Sequence, residues 1–261
     1  MKYLYITSSE LAKLTGHNQY ETVPNIVKAL LKKFGIKDCY IPKSNTEEGL
    51  TKLTKDELTL LKEELSAVTD NTLYSSSIHY IESFIKKYII IPTQKVDLDE
   101  NQSRDLFNSL TMNGGVLEKL SIYIKKDLRM RRGNVREKTN LDNLQTSQNI
   151  VIEQRNSKMY TKELMRKDNY CLILRGKVDG ISGDTVVEAK NRCNKLFMVL
   201  RDYERVQLEA YMFLTGYNKA ILTEHYNDES NQISYNHDDE FWQLCVENAC
   251  QFIETHIVPH F

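Results

Sequence analysis

Asp179, Glu188 and Lys190 flank a segment whose local fold follows from its own residue types. Between the two carboxylates, Gly183-Asp184 is a good two-residue hairpin turn of the type whose first central residue has positive φ. Closing the hairpin there predicts that Ser182 faces Thr185, Ile181 faces Val186, Gly180 faces Val187 and Asp179 faces Glu188. Directly opposed residues share one sheet face, with Cβ atoms about 4.5–5.5 Å apart. Two carboxylates so placed repel each other unless a cation sits between them, and oxygen ligands suit Mg²⁺ or Mn²⁺. Glu188 and Lys190 are two apart, so they project from the same face while Ala189 points away. A lysine beside two carboxylates can hold a metal-activated water, share its proton and steady the charge of an attacked phosphate. The set is a compact arrangement for hydrolysing phosphodiesters. The pattern itself is loose, and exposed hairpins often carry such residues as a solvated face.

The flanking elements must therefore be read for their power to position these groups. The segments 150–152, 170–178 and 185–190 have the β-branched and apolar richness of strands, as do 219–225 and 232–235. Residues 204–215 read as a helix ended by Gly216, and 238–256 as an amphipathic helix. Gln207 and Tyr211 lie i and i+4 on one face of the first of these. A glutamine there, among Val206, Ala210, Phe213 and Leu214, needs a hydrogen-bond partner if buried.

The first 130 residues read as mainly helical. Ser8 or Ser9 can cap a helix through Leu14 closed by Gly16, and a second helix follows Pro24 with Ile26, Val27, Leu30, Leu31 and Phe34 on one side. Residues 57–68, 76–90 and 106–126 also look helical, while 42–57 and 92–104 read as polar connections. The predicted architecture is α+β: one chain-long domain, with a helical region over 1–130 and a catalytic α/β core over 131–261.

Bulk composition excludes little. Lys plus Arg total 35 against 36 acidic residues, so net charge does not argue for nucleic acid, and its distribution must be read instead. Lys125-Lys126-Asp127-Leu128-Arg129-Met130-Arg131-Arg132 is a cationic run, as fit for a solvated helix face as for phosphate. No apolar run is long enough to span a bilayer, and the N-terminus is hydroxyl-rich where a signal peptide needs apolar residues, so a soluble intracellular protein is expected. Cys39, Cys171, Cys193, Cys245 and Cys250 are scattered without a CxxC pair and are expected to be reduced thiols.

Four segments in order resemble the lambda-exonuclease-like family, also called YqaJ-like viral recombinases, within the PD-(D/E)xK superfamily. They are Ile6-Thr7-Ser8-Ser9 with Gly16-His17-Asn18-Gln19-Tyr20, then Arg132-Gly133 with Glu137, then Val178-Asp179-Gly180 with Glu188-Ala189-Lys190, and last Gln207. Val178 stands where members usually carry proline, and little chain precedes Ile6 to supply the upstream arginine that some members set on a terminal phosphate. The region 22–129 has no counterpart in the resemblance. By that likeness the fold is a restriction-endonuclease-like core, a mixed sheet flanked by helices. Glu137, Asp179, Glu188 and the Ala189 carbonyl would ligate Mg²⁺, with Mn²⁺ as a substitute. Lys190 would assist the attacking water, Gln207 would brace the site, and Ser9 and Arg132 would bind DNA phosphate. Glu153 competes with Glu137 for the first acidic position; Glu137 is preferred because a glutamate on a helix preceding the sheet is the superfamily's usual arrangement.

The resemblance implies an exonuclease acting on linear duplex DNA in viral or phage-type recombination and repair. A homo-oligomer and a single-strand annealing partner are the candidate partners. An endonuclease on the same core, and a catalytically silent DNA-binding protein of the same fold, are the competing readings.

Overall fold

Alternation sets the first element. In Lys2-Tyr3-Leu4-Tyr5-Ile6-Thr7, Leu4 and Ile6 are buried while Tyr3 and Tyr5 are exposed, the period of two that a half-buried strand requires. The computed structural model describes every residue except Cys39, Val96 and Asn113, so one of the five cysteines lies outside the described residues. It makes this segment β1 (Lys2–Thr7), a strand absent from the expectation of a helical first half. Helix α1 (Ser8–Leu14) follows at once. Its cap is Thr7 and not Ser8 or Ser9: the Thr7 hydroxyl accepts from Glu10 N–H while the Glu10 carboxylate accepts from Thr7 N–H, a reciprocal capping box.

Helix α2 (Val23–Lys33) buries Ile26, Leu30 and Leu31 as its spacing predicts. Helix α3 (Asn45–Leu50) occupies a stretch that reads as a polar connection. Its reason lies far away in sequence: Asp127 accepts the N–H groups of Asn45 and Thr46 at 3.0 and 2.7 Å. Gly49 lets it dock, since a Cβ there would meet Leu120 and Tyr123 side chains at 2.6 and 2.7 Å. Then come α4 (Lys55–Thr69), α5 (Ile78–Ile85), a π-helical turn over Lys86–Ile90 and the one-turn α6 (Ile91–Thr93). Helix α7 (Glu100–Thr111) starts inside the second expected connection, capped by Asp99 with Gln102. Helix α8 (Gly115–Gln148) runs unbroken past residue 130, through Gly133.

The remaining elements are β2 (Tyr160–Arg166), β3 (Tyr170–Gly176), β4 (Gly180–Ser182), β5 (Thr185–Asn191), α9 (Asp202–Thr215), β6 (Lys219–Tyr226), β7 (Glu229–Asn236) and α10 (Asp239–His256). Strand β2 is largely exposed and charged, an edge strand without the apolar alternation by which a sequence marks a strand. The expected strand at 150–152 does not form. The chain leaves α8 through left-handed Asn149, Ile152 drops into a small core, and only Glu153 makes a β-bridge, to Ile181.

The strands form two mixed sheets flanked by helices, ordered β1-β3-β2 and β4-β5-β6-β7, with parallel pairs β1·β3 and β5·β6. The chain passes from one sheet to the other through Lys177-Val178-Asp179. Two large cores result. One joins β1, α1 and α2 to β3, α9 and α10; the other lies among α3, α4, α5 and the first half of α8. Leu141 and Leu144, on the second half of α8, pack on Val187 of β5. This helix thus spans from the helical core to the strand that carries Glu188 and Lys190. Among the described residues, no helix is long and apolar enough to cross a membrane, and Cys171, Cys193, Cys245 and Cys250 are free thiols.

Candidate active site

The hairpin closes as its turn requires. Gly183 has φ +60°, and the ladder pairs Ser182 with Thr185, Ile181 with Val186 and Gly180 with Val187. The ladder ends there, so Asp179 is not a backbone partner of Glu188. Its side chain instead reaches over β5, where Oδ2 accepts from Ala189 N–H at 2.9 Å. The same displacement sets the Asp179 carboxylate against that of Glu188.

Glu188 is 2% exposed. Its Oε1 accepts from the Lys190 ammonium, while Oε2 is buried with no hydrogen-bond partner among the described residues. Burial, and then the Asp179 charge, push the Glu188 carboxyl up to about 8, against the pull of Lys190. Burial and the Glu137 charge raise Asp179 as well. Burial opposes the charge on Lys190, yet Glu188 and Asp179 beside it hold the ammonium above its ordinary value. It therefore stays charged. Lys190 Nζ also donates to Gln207 Oε1 at 3.0 Å, and Gln207 Nε2 donates to the Tyr211 hydroxyl at 2.9 Å. Gln207 thus finds its partners on both sides. Tyr211, nearly buried, is pushed up by burial and by the Glu188 and Asp179 charges. Gly176 makes room for this packing: a Cβ there would lie 2.7 Å from Ser8 Oγ and 3.2 Å from the Tyr211 ring.

Glu137 arrives from α8. Its carboxylate accepts from Asn156 Nδ2, and the same nitrogen stands 3.5 Å from Asp179 Oδ1. Burial raises the Glu137 carboxyl, with Asn156 opposing and Glu188 adding to the shift. Asn156 was not singled out from the sequence. It is left-handed, φ +46°, in a turn pinned on both sides of Asp179: Asn156 N–H donates to Val178 O at 3.1 Å, and Glu153 bridges Ile181. Asparagine tolerates that backbone and offers an amide donor, which is the one signal that could have marked it. Glu153 itself is exposed and gives the sheet its backbone.

No protein-family model matches this chain, and no curated protein matches it. Among solved structures, it is similar to an alkaline exonuclease from Laribacter hongkongensis at 11% identity and a TM-score of 0.41, over 79% of this chain and 94% of that one. The same exonuclease in complex with dAMP is similar at 12% identity and a TM-score of 0.38, over 79% and 94%. A phage-related exonuclease from Haemophilus somnus is similar at 9% identity and a TM-score of 0.42, over 99% and 97%.

The two residues expected on DNA phosphate fare differently. Ser9 is exposed at the start of α1, its hydroxyl 3.1 Å from that of Thr7. Arg132 is 1% exposed. Its Nε donates to Glu100 Oε1 at 2.5 Å, and its terminal nitrogens donate to the carbonyls of Lys95 and Leu98. A guanidinium so enclosed is a structural ion pair and does not meet DNA, which corrects the expectation. The cationic run could not show which of its members faces inward.

Glu137, Asp179, Glu188, Ala189, Lys190 and Gln207 thus come together, Asn156 and Tyr211 join them, and Arg132 stands apart. Among the described residues, no three His, Cys, Asp or Glu side chains converge closely enough to hold a metal ion. Asn156 engages Glu137, which leaves Asp179 and Glu188 as the close pair. Mg²⁺ is commonly held by one or two carboxylates with several waters, so that pair is sufficient. The partnerless, buried Oε2 of Glu188 is the atom a cation would satisfy.

Proposed function

We propose that this chain is a metal-dependent DNA exonuclease with a PD-(D/E)xK core, acting from the ends of linear duplex DNA in phage-type or viral recombination and repair. One observation carries the reading. A buried carboxylate is gripped by Lys190 on one oxygen and left open on the other, facing the half-buried carboxylate of Asp179, with Gln207 fixing the lysine from behind. A purely structural cluster would have its charges balanced and its oxygens filled. The end-directed activity and the DNA substrate rest on the family resemblance.

Asp179 and Glu188, with the Ala189 carbonyl, would hold Mg²⁺ or Mn²⁺, and Glu137 would be the third carboxylate. Such an ion, when bound, would polarise the phosphodiester and lower the pKa of a water. The chain does the rest. Lys190 keeps its proton beside the attacked phosphate, stabilises the charge that develops there, and can pass a proton at Nζ. Gln207 holds that ammonium in place, and Tyr211 holds Gln207. Asn156 keeps Glu137 directed at the pair.

End-labelled linear duplex and covalently closed circular DNA, each incubated with Mg²⁺ or with EDTA, test the reading. Linear duplex should be digested from its ends with Mg²⁺ alone while circles persist. Rapid linearisation of the circles would make the protein an endonuclease, and DNA binding without cleavage of either would make it a silent member of the fold.

A further inference from the structure

A second group of cations lies along α8, where the chain leaves β5. Ser103 and Arg104 from α7, Lys125 and Arg129 from α8, and Cys193 and Asn194 from the loop beyond β5 line a cavity of about 130 Å³. The buried Glu100–Arg132 pair lines it too. Glu100 is the one carboxylate on the lining, and its Oε1 already accepts from Arg132 at 2.5 Å and from Asn191 at 2.9 Å. With that pair neutral, Arg104, Lys125 and Arg129 remain as unbalanced positive charge.

These groups are arranged. Arg104 donates to the Cys193 carbonyl at 2.9 Å and to Asn194 Oδ1 at 3.4 Å, which directs its guanidinium along the cavity wall. Lys125 rests its ammonium 5.3 Å from the centre of the Phe107 ring. Arg129 is exposed and, among the described residues, pairs with no carboxylate. Burial and Glu100 push the Cys193 thiol up, while Arg129, Arg132 and Arg104, which line the same cavity, pull it down. Ser103 supplies an independent sign. It is 2% exposed on the cavity lining, and its hydroxyl has no hydrogen-bond partner among the described residues. A buried hydroxyl left open costs free energy unless something completes it. A tetrahedral oxyanion accepts from a hydroxyl and from guanidinium groups at once.

Cys193 lies three residues beyond Lys190. On α8, Arg129 precedes Glu137 by eight residues, about 12 Å at 1.5 Å per residue. We propose that the cavity is a phosphate subsite, formed by Ser103, Arg104, Lys125 and Arg129, that holds a backbone phosphate of the bound strand beyond the carboxylates. The identity of the strand rests on the nuclease reading; the affinity for a phosphate group does not.

Cys193 is the reporter. Its alkylation by a thiol reagent, read by peptide mass spectrometry, should slow in inorganic phosphate relative to chloride of equal ionic strength. Short duplex DNA in EDTA should slow it at far lower concentration. Changing Arg104→Gln and Arg129→Gln together should remove both protections and flatten the log–log salt dependence of DNA binding by about one. Mn²⁺ affinity should stay as in the unmodified chain. Ser103→Ala, a smaller change, should weaken phosphate protection alone and guards against misfolding of the arginine variant. An unmodified Cys193 rate in phosphate, or an unchanged salt slope in the variant, would overturn the subsite. Protection by phosphate in a protein that cuts no DNA would instead reject the nuclease reading and leave the subsite standing.

Discussion

Two clusters of buried charge share the end of β5, and they are built on opposite rules. Around Arg192, Glu204 and Glu224 are both fully buried, yet every oxygen is used. Glu204 takes Arg192 on both oxygens, at 2.6 and 3.3 Å. Glu224 takes Arg192 Nε at 2.7 Å, the N–H groups of Phe197 and Met198, and the Asn231 amide. Burial alone would raise the Glu224 carboxyl, but these donors hold it below its ordinary value. Around Lys190, two residues before Arg192, Glu188, Asp179 and Glu137 face one ammonium, one oxygen lies open, and all three carboxyls are raised. The first cluster fixes the loop after β5. The second keeps a proton on Glu188 that a cation would displace. Satisfaction of the buried oxygens, and not burial of charge, separates a structural site from a reactive one.

The comparison can be broken first at Glu188. Glu188→Gln should reduce DNA cleavage by roughly 10³-fold or more, the scale of losing a site's main electrostatic element, while above pH 8, where Glu188 is ionised, the metal-free variant should melt at a higher temperature because repulsion with Asp179 is gone. Full cleavage would dismiss the site. Lys190→Ala should lose about 10²-fold or more in rate yet keep Mn²⁺ binding; loss of binding with unchanged turnover would reverse the assigned roles.

The structural cluster should behave otherwise. Arg192→Met strands two buried carboxylates and should cost about 3–5 kcal/mol in urea unfolding, with Mn²⁺ affinity retained below the transition. A variant as stable as the unmodified chain would erase the distinction drawn between the clusters.

The smallest effect sharpens the contrast through pH. Glu188 titrates near 8 in the folded chain and near its ordinary value when unfolded, so the folded state binds the extra proton between the two. Its contribution to stability is therefore full below the unfolded pKa and declines as pH rises towards 8. The metal-free melting temperature should fall over that window, and Glu188→Gln should flatten the fall. An identical slope in both proteins would place the titration elsewhere.

How much of this was legible beforehand follows the range of the interactions. The hairpin, its three inner pairs and the β5–α9–β6 order rest on local alternation and turn residues and can be read directly from 179–226, whereas the expected Asp179–Glu188 pair lies beyond the end of the ladder. The Gln207–Tyr211 contact follows from helical spacing. Glu137 was reachable only through family resemblance, since nothing near it in sequence shows that α8 crosses β5. Asn156, α3 and the enclosure of Arg132 depend on partners 19, 82 and 32 residues distant. Local pattern cannot see them. Strand β1 was visible as alternation but was overshadowed by the hydroxyl-rich helix start beside it.

The central claim is that Asp179 and Glu188 form an open, cation-seeking pair, and Mn²⁺ calorimetry near pH 7 addresses it most directly. Because a bound cation requires both carboxylates ionised and Glu188 is raised to about 8, binding should release a proton. The measured heat should then vary with the ionisation enthalpy of the buffer, and Glu188→Gln should weaken binding and remove that dependence. Binding in Glu188→Gln as tight as in the unmodified chain, or no Mn²⁺ binding to the unmodified chain at all, would contradict the account.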